Sequence, residues 1–361
     1  VLRYSESGKY DFASSFHIPT YLFLALVVAM FLGLTNSVDD ILRDRPVLQR
    51  ERNLNVRLGW YVLAKVLTLS LFAVVQCVLF LLIGNWILEV RGMFWIFLAA
   101  MVLTAISGIA IGLLISSLAS EGKTAVNIIP VVLIPQIILG GALIKYEEMN
   151  RNLDFVYSIN RWFSQNPESG IPRSNLQVPL ICEFMPMRWS YEALVYAQAK
   201  LNPLTRRQEQ IQREINRLAR TPDLTESQET RLDDLKELLA LASGVQAENA
   251  AGVERRLRRV DKVLDGEALP EKMLNPPRGA VTAERLYVNQ KTTDLVNKAE
   301  MEQSDYRESR FLNVFFGPEK QYFGIRASVL VFNAWVMILS SIGMFVALYF
   351  ILRRQLKSRL A

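Results

Sequence analysis

Apolar positions in this chain are gathered into long blocks, and charged residues are excluded from their centres. Five blocks reach the length of about 20 residues that a helix needs to cross a bilayer: Ile18–Val38, Leu58–Leu82, Met93–Leu118, Ala125–Ile144 and Ala327–Leu352. Their cores lack Asp, Glu and Arg. Lys65 stands about two turns into the second block, and its aliphatic stem can carry the ammonium back to the interface. Tyr21, Trp60, Tyr61, Trp86, Trp95 and Tyr349 fall near block ends, as an aromatic belt would. The pattern predicts an all-α membrane protein, a polytopic helical bundle of at least five spans.

Before the last block the pattern changes. Ile211, Ile215 and Leu218 recur at helical spacing, as do Leu232, Leu235, Leu239 and Ala242, and then Val253, Leu257, Val260 and Leu264. These narrow seams predict an antiparallel helical hairpin or small coiled-coil bundle. A solvated charged stalk is the other reading. Thr221-Pro222 ends the first helix, Thr225 with Gln228 offers a capping box to the second, and the stretch Pro270–Gly279 closes the helical region. The expected organisation is residues 1–144 with four spans and an inner loop at 39–57, residues 145–326 as an extracytoplasmic loop with a helical insertion at about 201–310, and residues 327–361 as the last span and a basic tail.

Composition narrows the function. Apolar residues make up 51% of the 361, and the formal charge is +6. The basic excess forms no stripe interleaved with aromatics, so nucleic acid is not an expected partner. Instead it orients the chain. Arg43, Arg45, Arg50, Arg52 and Arg57 crowd one short loop, and Arg353, Arg354, Lys357 and Arg359 follow the last span, which places both in the cytoplasm. The turn Ser120–Lys123 is then inside; the turn Glu89–Arg91 and the long segment Lys145–Arg326 are outside, with the insertion extracytoplasmic on an inner membrane. The stretch Val1–His17 also falls outside, and a further span is expected upstream. Cys77 and Cys182 make no disulfide framework, and the lone His17 makes no metal cluster. No GxxxxGK[ST] loop, nucleophile elbow or catalytic carboxylate pair occurs, so this segment is not expected to be an enzyme. The absence of any Asn-x-Ser/Thr site is compatible with a bacterial origin.

The polar residues of interest lie in the inner loop. Asp39, Asp44 and Glu51 alternate with arginines and are followed by Trp60-Tyr61 and Lys65. A solvated amphipathic helix is the plain reading; a helix that docks on a cytoplasmic motor is the sharper one. The spacing resembles the first inner loop of ABC exporters of the ABCG (White, pleiotropic-drug-resistance) kind, type-2 ABC permeases. The run LGGALI at the end of the fourth block is similar to that family's small-residue turn, and FMPMRWSYEAL resembles its outer-loop helix. The resemblance covers about half the chain.

It implies six spans, a nucleotide-binding domain with ATP and Mg outside this segment, and a second copy of the chain enclosing a cavity. Asp39, Asp44, Arg50 and Glu51 would couple to the nucleotide-binding domain. Val28, Ala29 and Leu32, with Asn127, Pro130, Ile134, Gln136 and Ile137, would line the cavity, and Ala142 with Leu143 would form an exit plug. Pro130 and Pro135 free backbone carbonyls inside a span, and Gln136 at mid-depth should face protein or cavity rather than lipid. Thr104, Gly108, Gly112 and Ser116 form a small-residue stripe suited to close helix packing. The expected function is ATP-driven export of an amphipathic or lipid-like substrate. The alternative is a membrane-anchored scaffold or mechanotransmitter whose outer helices bind a periplasmic protein.

Overall fold

A computed structural model describes residues 11–51, 57–149, 178–221, 225–247, 249–267, 269, 281–304, 313–322 and 325–358. Arg52, Pro222, Pro270–Gly279 and Arg359, which entered the sequence reading, lie outside the described residues, and so does the side chain of Glu51. The elements are α1 (Ile18–Ser37), α2 (Asp40–Glu51), α3 (Leu58–Ile87), α4 (Phe94–Leu118), α5 (Gly122–Ile138), α6 (Leu180–Glu183), α7 (Pro186–Lys200), α8 (Pro203–Ala219), α9 (Glu226–Ser243), β1 (Gln246–Ala247), α10 (Ala250–Leu264), β2 (Val281–Thr282), α11 (Ala283–Tyr287), α12 (Gln290–Ser304), β3 (Glu319–Tyr322), β4 (Ile325–Ser328) and α13 (Val329–Ser358). The strands form two short antiparallel pairs, β1 with β2 and β3 with β4. The chain is an all-α polytopic membrane protein in its architecture.

Among the described residues, four helices are long and apolar enough to cross a membrane: α1 continued into α2, α3, α4 and α13. The fourth apolar block of the sequence departs from expectation. Its helix, α5, has 17 residues and stops at Ile138 rather than running to Ile144. Gly140-Gly141 turns the chain there. Gly141 has a φ of +80°, and a Cβ would meet the Tyr146 and Phe315 rings, so only glycine fits. Tyr146 Oη donates to Leu139 O at 2.9 Å and pins the turn.

Two compact units emerge, and they are not consecutive segments. One comprises the segment up to Ile18, Asn85–Phe94 and Ala197–Asp294; the other comprises Pro19–Gly84, Trp95–Tyr196 and the chain from Leu295 on.

In the first unit, α8 and α9 form an antiparallel hairpin, since Gln208 near the start of α8 donates to Ser243 at the end of α9. Leu204, Ile211, Leu235, Leu238, Val253, Leu257, Val260 and Val263 are buried in one core, with Ala283 and Tyr287 of α11. Asn202 caps α8 by accepting from Thr205 N, and Thr225 with Gln228 closes a capping box on α9. Arg207 pairs with Asp261 in a two-pronged contact of 2.6 and 2.8 Å, which fastens α10 to α8. Asn289 anchors the residues before α1 by donating to Phe12 O and Ser15 O.

In the second unit, α1 and α4 approach closely. A Cβ on Gly33 would strike Ala105 O, and one on Gly108 would lie 2.6 Å from Met30 O. Small residues let the two backbones meet, which is how apolar helices associate where no hydrophobic force operates between them.

Candidate functional site

The inner loop folds as the short helix α2. Asp40 in its first turn and Arg50 in its last suit the helix dipole. Its exposed N-terminal amides find their acceptor on another element. Ser116 Oγ of α4 accepts from Ile41 N at 3.0 Å and from Leu42 N at 3.1 Å. The favour is returned: Arg45 donates to Ser116 O at 3.2 Å and to Ser117 O at 2.7 Å, covering the C-terminal carbonyls of α4. Gln355 of α13 donates to the same Ser117 O at 2.8 Å. Each helix end is thus capped by the other.

A second anchor ties α2 to α3. Lys65 Nζ lies 3.1 Å from Asp40 and 2.8 Å from Asp44, and Tyr61 Oη donates to Asp44 at 2.9 Å. Lys65 does more than reach the interface by its stem, because it bridges two carboxylates there. Asp39 pairs with Arg43 at 2.7 Å on the rim of the helix. Of the four residues expected at the motor interface, Asp44 is turned toward the spans and Asp39, just before α2, is held by Arg43. Arg50 alone projects outward, and the side chain of Glu51 is not described.

Arg43, Pro46, Val47 and Arg50 stand at i, i+3, i+4 and i+7, and all four are exposed. They make one continuous face of α2, opposite the side that carries buried Ile41 and half-buried Arg45. Two cations flank an apolar patch in which Val47 is 40% exposed.

A second cluster was missed by sequence reasoning. The first turns of α7 sit among spans. Ser190 meets Thr104 of α4 at 2.7 Å and Met337 of α13 at 3.6 Å, and the Tyr191 ring packs edge-on against Phe23 of α1 with centroids 5.2 Å apart. Thr104 stands about 15 Å from the N-terminal end of α4 at the helical rise of about 1.5 Å per residue, so α7 enters the layer of spans.

It carries charge there. Arg188 is fully buried and donates to Glu183 at 3.0 Å and to Asn313 at 2.8 Å. Glu192, also fully buried, receives Lys320 at 2.5 Å, Phe316 N at 2.8 Å and Asn333 at 3.1 Å, with Arg188 at 3.6 Å. Two cations and two carboxylates balance, which makes so deep a burial tolerable. Burial pushes the Glu183 carboxyl up despite Arg188 and Lys320. Burial also pulls the Lys320 ammonium down to about 8, against the attraction of Glu192.

The expected cavity residues separate. Asn127, Pro130 and Ile134 lie on one exposed face of α5 at i, i+3 and i+7, and Val131 extends it. Val28 and Leu32 are half-buried on α1 beside exposed Leu24 and Phe31. Ala29, beside them on α1, is fully buried. Gln136 is 6% exposed and accepts from Met187 N at 3.4 Å, so it faces α7 rather than open space. Ile137 is half-buried. Leu143 projects from the pinned turn at 66% exposure, and Ala142 beside it is half-buried.

Among the described residues no group of His, Cys, Asp and Glu is placed to hold a metal ion. Residues 3–162 match the family model described as ABC-2 type transporter. No curated protein and no solved structure matches the chain. The match makes this part of the chain similar to the membrane-spanning component of ABC transporters.

Proposed function

We propose that this chain is the membrane domain of an ATP-driven exporter of the ABCG-like kind, with a nucleotide-binding domain docked on the Arg43–Pro46–Val47–Arg50 face of α2. The observation that carries this reading is the reciprocal capping of α2 and α4 together with the Lys65 bridge to α3. A push on the free face of α2 passes directly to the inner ends of the spans, because six charged or polar side chains bind it to them. Asp44, Arg45 and Lys65 act as positioning residues, and Arg43, Val47 and Arg50 make the contact. Asp39 and Glu51 are placed at the rim and end of the docking helix.

Two copies would enclose a cavity between the unpartnered faces of α1 and α5, bordered by Val28 and Leu32 on one side and Asn127, Pro130, Ile134 and Ile137 on the other. The apolar character of those faces favours an amphipathic or lipid-like substrate. Leu143, with Ala142, would close the outer exit. ATP and Mg would bind to the nucleotide-binding domain, and the inserted helices would lie outside a bacterial inner membrane.

The test is ATP hydrolysis by the complete assembly in lipid. Arg43→Glu with Arg50→Glu should abolish stimulation by the membrane domain while leaving the fold intact. Full activity of that double variant would refute the docking face. A second reading, mechanical transmission to a periplasmic protein, is favoured by the independent core of α8–α11. Replacing residues 203–287 with a Gly/Ser linker separates the two: an exporter keeps transport, and a mechanotransmitter loses its partner.

A further inference from the structure

A shallow groove of about 290 Å³ runs between α3 and α13. Its walls are almost wholly apolar, with Gly59, Val62 and Val66 on one side and Ile342, Val346 and Tyr349 on the other. The helices are antiparallel here, since the start of α3 is level with the late turns of α13. Val62 forms the floor at 8% exposure, while Ile342 and Val346 are about half exposed at 51% and 49%. From Gly59 to Val66 the groove is roughly 10 Å long at the helical rise, well inside one leaflet of a hydrocarbon core about 30 Å thick.

Arginines flank one end of the groove. Arg353 follows Tyr349 by one turn, on the same face that Ile342, Val346 and Tyr349 present to the groove. Gln355, two residues further and so about 200° around the helix, is turned the other way onto Ser117 O. Arg57 immediately precedes α3, where its carbonyl accepts from Trp60 N and Tyr61 N, and Arg354 adjoins Arg353. All three arginines are exposed, and none has an ion-pair partner among the described residues. The nearby carboxylates Asp40 and Asp44 are bridged by Lys65 instead.

We propose that this groove holds an anionic phospholipid, with an acyl chain between α3 and α13 and its phosphate at Arg57 and Arg353. An apolar slot lying within one leaflet, ending in exposed guanidinium groups, is complementary to that molecule at both ends. The site rests on the topology proposed above only for its leaflet, which is the cytoplasmic one.

The test is native mass spectrometry of the complete assembly, released from detergent after incubation with equal amounts of palmitoyl-oleoyl phosphatidylglycerol and phosphatidylcholine. The wild type should retain phosphatidylglycerol in preference, by about fivefold for each arginine engaged, the effect of one basic side chain beside an anionic headgroup. Arg57→Gln with Arg353→Gln should equalise the two lipids. Val346→Trp, which fills the groove from a half-exposed position, should lose both, while Val331→Trp near the other end of α13 should change nothing. An unaltered preference in the arginine variant would overturn the proposal. So would unchanged retention in Val346→Trp, or a Val346→Trp protein that dissociates into single copies with its lipid count intact, since the groove would then be an interface. Failure of the exporter reading leaves these lipid counts untouched, because no turnover enters the measurement.

Discussion

Glu192 is the most heavily bonded group of the buried cluster, and replacing it with glutamine tests whether the cluster holds α7 in place. The substitution keeps the shape and one acceptor oxygen. It removes the charge that faces Lys320 at 2.5 Å and Arg188 at 3.6 Å. Two buried cations would then share the single carboxylate of Glu183. Breaking a buried pair by removing one partner costs about 3–5 kcal/mol, because the remaining charge has no water to turn to. Lys320→Met removes the other partner and should cost a similar amount. The double variant removes both charges and leaves Arg188 with Glu183, so its loss should fall short of the sum by more than about 1 kcal/mol. The assay is thermal unfolding of the purified protein in lipid nanodiscs, with all four members of the cycle measured together. Additive losses, or a Glu192→Gln protein as stable as the wild type, would refute the claim that these charges are held as one unit.

Three further outcomes are expected. Lys65→Met leaves Asp40 and Asp44 half-buried without their cation, and should reduce ATP hydrolysis by the complete assembly more than it reduces thermal stability. Gly108→Val forces α1 away from α4, and should lower the unfolding temperature by several degrees, an overpacking cost of about 1–3 kcal/mol. Arg207→Gln loses the two-pronged contact with Asp261, and amide hydrogen exchange in α10 should speed up while that of α4 stays unchanged.

The spans and the inserted helices could be read from the chain because their signals are local. A block such as Met93–Leu118 declares itself by composition, and Thr225 with Gln228 is a capping pattern contained in four residues. The length of α5 could not be read, because Ala125–Ile144 is apolar throughout and only the packing of Tyr146 and Phe315 around Gly141 shows why the helix stops early. Facing was equally hidden. The spacing of Asp39, Asp44 and Glu51 carried a family resemblance, yet Asp44 turns toward Lys65 and Tyr61, so the outward face passes to Arg43, Pro46, Val47 and Arg50. Ser116 read as one of a stripe of small residues, and nothing near it in sequence marks it as the cap of α2. The buried cluster was illegible for a related reason. Glu192 bonds to Phe316 and Asn333, 124 and 141 residues away, and a charged residue in a long polar segment looks like surface until its partners are known.

The docking of α2 on a nucleotide-binding domain is tested most directly by a photo-activated cross-linker at Val47 in the complete assembly, with the adducts mapped by peptide mass spectrometry. Val47 is 40% exposed on the free face of α2, and Phe72, 60% exposed on α3, serves as the control position. The expected result is an adduct from Val47 to peptides of the nucleotide-binding domain, with a yield that changes on ATP binding, and none from Phe72. Adducts from Val47 to lipid or solvent alone, with the nucleotide-binding domain present and active, would contradict the docking face and the coupling built on it.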